Sequence, residues 1–96
     1  MIEYPAGDYL SGKSIVLFYA SYHSNCNITL DALKRLEKKY YNIKFIMVNT
    51  TKYYKLKEKY NVKALPALLY FKNGELVDFI GGSLNYKMIE DMILRN

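Results

Sequence analysis

The chain has 96 residues, fewer than the ~150 of a typical domain, and this predicts one domain over residues 1–96. Hydrophobic residues make up 51% and charged residues 24%, a balance that excludes a disordered tail, a collagen-like repeat or a disulfide scaffold. The longest apolar runs, Ile15–Ala20 and Ala64–Phe71, are far shorter than the ~20 residues of a membrane span. With Glu3 and Asp8 near the start and no basic, apolar leader pattern, the expectation is a soluble, cytoplasmic protein with no membrane partner.

The net charge of +5 comes from fourteen basic and nine acidic residues. Twelve of the fourteen are lysine, and tyrosine, isoleucine and asparagine are also abundant, a bias that AT-rich coding produces. Clustered arginine with spaced aromatics is absent, so the lysines read as solvated helix faces and no nucleic-acid partner is expected. One cysteine, Cys26, excludes an intramolecular disulfide and an all-cysteine zinc site within one chain.

In chain order, Ile2-Glu3-Tyr4 suits a short edge strand ended by Pro5 and Gly7. Ser14–Ala20 is a continuous apolar run, which suits a strand buried on both faces. Ile28, Ala32, Leu33, Leu36 and Tyr40 then recur at helical spacing, opposite Lys34, Arg35, Glu37, Lys38 and Lys39. Ile43–Asn49 reads as a second buried strand. Thr50 or Thr51 is placed to cap a short helix through about Tyr60, with Lys52, Lys55, Lys57 and Lys59 facing water and Asn61 ending it.

The last third has a different grammar. Ala67–Lys72, Asn73-Gly74 and Glu75–Ile80 form a strand, a tight turn and a returning strand, broken by Gly81-Gly82. Asn85 caps a final helix whose apolar stripe is Met88, Ile89, Met92 and Ile93. The order β-α-β-α-β-β-α predicts an α/β fold: a mixed central sheet of four to five strands with helices on both faces.

These pieces resemble a known family. V-L-F-Y-A-S-Y at 16–22, V-N at 48–49, K-Y-N-V-K-A-L-P at 59–66, L-L-Y-F-K-N-G-E at 68–75 and G-S-L at 82–84 are similar, in order and spacing, to thioredoxins over roughly residues 14–95. The resemblance implies the thioredoxin fold. It also implies an active-site loop of an aromatic residue followed by C-x-x-C, where this chain has Y-H-S-N-C. Tyr22 matches the aromatic and Cys26 the second, resolving cysteine. His23 stands at the nucleophilic cysteine, whose thiolate a helix N-terminus stabilises in the family. A chain with only the resolving thiol cannot close an internal disulfide, so dithiol turnover is not expected. Leu17 stands where the family keeps a buried Asp, and Met47 where it keeps that residue's Lys partner. Asn25 replaces the proline inside C-x-x-C.

Other matching positions keep the family's residues. Pro66 matches a proline that is cis in thioredoxins, and Leu65-Pro66 is expected to be cis and close to the 22–26 loop. Tyr22, Leu65, Pro66, Gly81 and Gly82 would line the family's groove for an extended peptide, although Pro66 and Gly81-Gly82 also serve simply to begin and end strands. His23 and Cys26, three apart at a helix start, leave three readings open. They are a relic thiol beside a solvent-facing histidine, a one-cysteine nucleophile working by mixed disulfide, or half of a zinc or iron–sulfur site completed by a second copy. The resulting expectation is a redox-impaired module, monomeric rather than dimeric, that binds a protein or extended peptide beside Pro66. It needs no cofactor and no metal.

Overall fold

The computed structural model describes residues 1–20, 26–82 and 84–96. Five strands and three helices follow in the order β1 (Ile2–Glu3), β2 (Lys13–Tyr19), α1 (Cys26–Lys39), β3 (Lys44–Asn49), α2 (Tyr54–Lys59), β4 (Ala67–Lys72), β5 (Glu75–Gly81) and α3 (Tyr86–Arg95). The strands form one sheet ordered β1-β3-β2-β4-β5. β1, β3 and β2 are parallel, while β4 runs antiparallel to β2 and β5 antiparallel to β4. The expected mixed sheet with helices on both faces is the observed architecture.

Period-2 alternation divides the core in two. Ile15 and Leu17 of β2, Phe45 of β3, and Leu68 and Tyr70 of β4 point to one face, where they pack with Ala32, Leu33 and Leu36 of α1 and with Ile89, Met92 and Ile93 of α3. Val16, Phe18, Ile46, Val48, Ala67, Leu69 and Phe71 point to the other, where Tyr9, Leu56 and Tyr60 meet them. That second face has no helix between β1 and β2. The loop there lays tyrosine rings on the sheet instead. Tyr9 packs on Phe71 at 4.9 Å between centroids, Tyr60 on Phe71 at 5.2 Å, and Tyr4 edge-on against Tyr53 at 4.9 Å.

Local chemistry explains most element boundaries. Asn73 (φ +51°) and Gly74 (φ +82°) both adopt the left-handed conformation that a two-residue hairpin turn demands. The same turn clasps the β1–β2 loop: Asn73 N–H donates to Gly12 O at 2.8 Å, and Gly12 N–H donates to Asn73 Oδ1 at 3.2 Å. A Cβ on Gly74 would sit 3.0 Å from the Leu10 carbonyl oxygen. Asn85 caps α3, its Oδ1 accepting from Met88 N–H at 2.9 Å.

Four expectations need correction. Neither Thr50 nor Thr51 caps α2, which starts at Tyr54 behind Tyr53 with no side-chain cap. The Thr50 hydroxyl is drawn instead to Tyr19 O at 2.9 Å, and Thr51 N–H donates to Asn49 Oδ1 at 3.0 Å. Ile28 is 62% exposed, because the buried stripe of α1 runs through Thr29, Ala32, Leu33 and Leu36. At ~100° per residue, Ile28 falls about 80° around the helix from Leu36. Met88 is exposed for the same reason, at the flank of the stripe formed by Ile89, Met92 and Ile93. Along α2, Lys57 is half-buried while Lys52, Lys55 and Lys59 face water.

Candidate functional site

The Leu65–Pro66 peptide bond is cis, as is Tyr4–Pro5. Pro66 is buried and leads directly into β4. Its carbonyl accepts the Gly82 N–H at 3.0 Å, and Ala67 lies opposite Gly81 in the ladder. The end of β5 is thereby pinned beside the proline turn. Gly82 takes φ +93°, which a side chain would strain. Leu65 is half-buried against the tyrosine-bearing face. Four of the five expected groove residues, Leu65, Pro66, Gly81 and Gly82, therefore converge on one corner of the sheet. Tyr22 and His23 lie outside the described residues, and so does the distance from Pro66 to their loop. Cys26 is the first residue of α1.

The strands next to this corner are apolar. Leu17 is fully buried and lies opposite both Met47 of β3 and Leu68 of β4. The two positions where the resemblance leads one to look for an Asp–Lys pair are thus cross-strand neighbours holding two hydrophobic side chains. Leu17 and Met47 pack with the core of the α1–α3 face and carry no proton to pass to a thiol.

The chain also builds something that sequence reasoning missed. On the tyrosine-bearing face, beyond the reach of six-residue α2, β4 and β5 are left open. A groove of about 480 Å³ lies there, lined by Tyr60–Ala64 on one side and by Ala67, Leu69, Leu76, Phe79 and Gly81 on the other. Phe79 is 69% exposed above it, whereas Leu69 forms a buried floor. The signal was present in part. Phe79 alternates with Asp78 and Ile80 in a strand, and α2 is too short to cover five strands. Lys63 lines the groove, and Lys59 lies over the Tyr60 ring at 5.4 Å.

The titratable groups with displaced protonation lie around this architecture. The Tyr9 phenol, buried and paired with the Tyr60 hydroxyl at 2.8 Å, is pushed up to about 12 by burial first and that hydrogen bond second. Asp78 is held below the usual carboxylate range by the Arg95 guanidinium at 2.7 Å, with Asn96 and the Phe79 N–H also donating to it. Glu90 is lowered by Lys39 at 2.7 Å and by the Tyr40 hydroxyl at 2.8 Å. Among the described residues, no three His, Cys, Asp or Glu side chains gather to hold a metal ion. No described helix is long and apolar enough to cross a membrane.

Comparison with known proteins agrees with this geometry. The thioredoxin family model matches residues 9–95. The thioredoxin of Buchnera aphidicola is 32% identical over 87 residues, spanning 88% of this chain and 80% of that protein. Thioredoxin Asp f 28 of Aspergillus fumigatus is 29% identical over 85 residues, spanning 86% and 77%. Oxidised mitochondrial thioredoxin 3 of Saccharomyces cerevisiae superposes with a TM-score of 0.83 at 23% identity, covering 90% of this chain and 80% of that one, and so shares the fold. With its sheet order, its cis-proline corner and a family match over nearly its whole length, the chain belongs to the thioredoxin family.

Proposed function

We propose that this chain works as a protein- or peptide-binding module of the thioredoxin fold, without the dithiol cycle. The observation that carries the reading is its single cysteine, together with a sheet in which Leu17 and Met47 face each other across β2 and β3. A mixed disulfide at Cys26 has no second thiol in the chain to release it, and the apolar Leu17–Met47 pair offers no acid or base. The corner formed by Leu65, Pro66, Gly81 and Gly82 supports the binding half of the proposal, because it opens directly onto an apolar groove.

Insulin reduction coupled to a thioredoxin reductase tests it. No turnover is expected from the unmodified chain, and robust reduction would sink the reading. His23→Cys is expected to permit a 23–26 disulfide, with activity remaining below that of an ordinary thioredoxin because Leu17 and Met47 still supply no proton path. One observation favours the alternative of a single-thiol redox protein: Cys26 opens a fourteen-residue helix, where the backbone favours a thiolate. Alkylation of Cys26 in the native protein separates the two. Slow labelling fits the binding module, whereas fast labelling that stays fast below pH 7 fits the thiol enzyme.

A further inference from the structure

The groove on the tyrosine-bearing face has a direction, a floor and a charge. It starts at Gly81, beside the Pro66 turn, and follows β4 and β5 past Leu69 and Phe79 to Leu76. With the bulge in β5, this stretch matches the four residue steps from Ala67 to Phe71 on β4, about 14 Å at ~3.4 Å per residue, the length of about four extended residues. Its size falls in the ~300–1,000 Å³ range of built ligand sites.

Its open side is the sheet face rather than the sheet edge. The N–H of Phe79, midway along β5, is already held by the Asp78 carboxylate at 2.8 Å. Arg95 and Asn96 in turn fix that carboxylate, each at 2.7 Å. An added strand therefore meets a charged side chain already bound at this donor. A ligand lying across the face meets Phe79, Leu76 and Val62 instead.

The charge beside the groove is one-sided. Residues 52–63, which carry α2 and the groove wall, hold Lys52, Lys55, Lys57, Lys59 and Lys63 against a single acid, Glu58. On β5, Asp78 is engaged with Arg95 of α3 and with Asn96 just after it, so among the described residues Glu75 at the far end is the strand's acid without such a bridge. A second copy of the chain would bring this lysine row against its own image, at a net charge of +5 per chain, where like charges repel. An acidic partner gains from the same row.

We infer that the groove takes an extended, acidic segment of a partner protein, with aliphatic or aromatic side chains on Phe79, Leu76 and Val62 and carboxylates at Lys63 and the lysines of α2. This rests on the binding-module reading, because the groove continues from the Pro66 corner.

The test is a random 12-residue peptide library displayed on phage and panned on the full chain. Enriched peptides are then synthesised and titrated by fluorescence anisotropy. Peptides rich in Asp and Glu around Leu, Phe or Met are expected. Their binding should weaken at least about tenfold on Phe79→Ser and on Lys63→Glu, and several-fold between 50 and 300 mM salt. Phe79 and Lys63 are both exposed, so these variants keep the fold, which circular dichroism verifies. Three results overturn the inference. Enriched peptides that ignore both substitutions place the ligand elsewhere and leave the binding-module reading standing. No enrichment removes the acidic segment as occupant, and the insulin assay then decides separately whether the module reading survives. Concentration-dependent dimers in sedimentation velocity that Phe79→Ser abolishes make a second copy the occupant.

Discussion

The two faces of the sheet are built by different means. On one, α1 and α3 lay two long amphipathic stripes over Ile15, Leu17, Phe45, Leu68 and Tyr70. They are joined at their rims by Lys39–Glu90 at 2.7 Å and by Arg35 stacked on Tyr86 at 4.6 Å. On the other, a six-residue helix and a loop do the covering with tyrosine rings, and the outer end of β4 and β5 stays bare. Helices bury a sheet by length, whereas rings bury it point by point. The first face is therefore the source of stability, and the second is where surface remains for a partner.

Leu36→Ala strikes the closed face and carries the largest expected effect. Leu36 is fully buried, so about 2–5 kcal/mol should be lost in urea denaturation. Leu56→Ala in half-buried α2 should cost nearer ~1 kcal/mol. Equal losses at the two positions would break the comparison.

The next test sharpens the account of the ring-covered face. The folded state raises the Tyr9 phenol from about 10 to about 12, so folding favours its neutral form. The associated stability is fully present below about pH 10 and is lost as pH rises toward 12, by roughly 1–3 kcal/mol. Tyr9→Phe should be about 1 kcal/mol less stable at pH 8, having lost the bond to Tyr60. It should lack the alkaline loss, so the two stability curves converge or cross above pH 11. Parallel curves would show that Tyr9 ionises as freely folded as unfolded.

A smaller effect is expected at the seam between β5 and α3. Asp78→Asn removes the bridge to Arg95, for about 0.5–1 kcal/mol at pH 7. Because folding lowers the Asp78 carboxyl, its contribution is present above about pH 4 and is lost on further acidification. The gap between wild type and variant should therefore close as pH falls below 4. A gap that persists at pH 2 would assign the effect to packing rather than charge.

What could be read from the sequence was whatever neighbouring residues decide among themselves. The Asn73-Gly74 turn needs two left-handed residues in a row, and Asn85 needs only an amide three residues on, so both were legible. Thr50 looked like a cap but is claimed by the carbonyl of Tyr19, thirty-one residues away, a competitor that local reading cannot see. Ile28 and Met88 were placed a fraction of a turn wrong because the neighbour, not the helix, sets which angle of an amphipathic stripe is buried. The short edge strand at Ile2-Glu3 was legible, whereas the burial of Tyr9 against Phe71 emerges only once β4 is in place. The cis-proline corner was legible through family likeness. The open groove was not, because missing cover is a property of the assembled sheet and belongs to no segment.

The clasp between the β4–β5 turn and Gly12 bears on where the chain can be cut or lengthened. A hairpin tip is ordinarily the first place to graft a foreign loop or to open new termini. Here the tip is a structural tie: its asparagine exchanges two hydrogen bonds with Gly12, and its glycine leaves no room beneath the Leu10 carbonyl. An insertion at Asn73-Gly74 would release the β1–β2 loop as well, and with it the Tyr9 ring that roofs Phe71. The connection after α1, where Tyr41 is 92% exposed, is the better graft point.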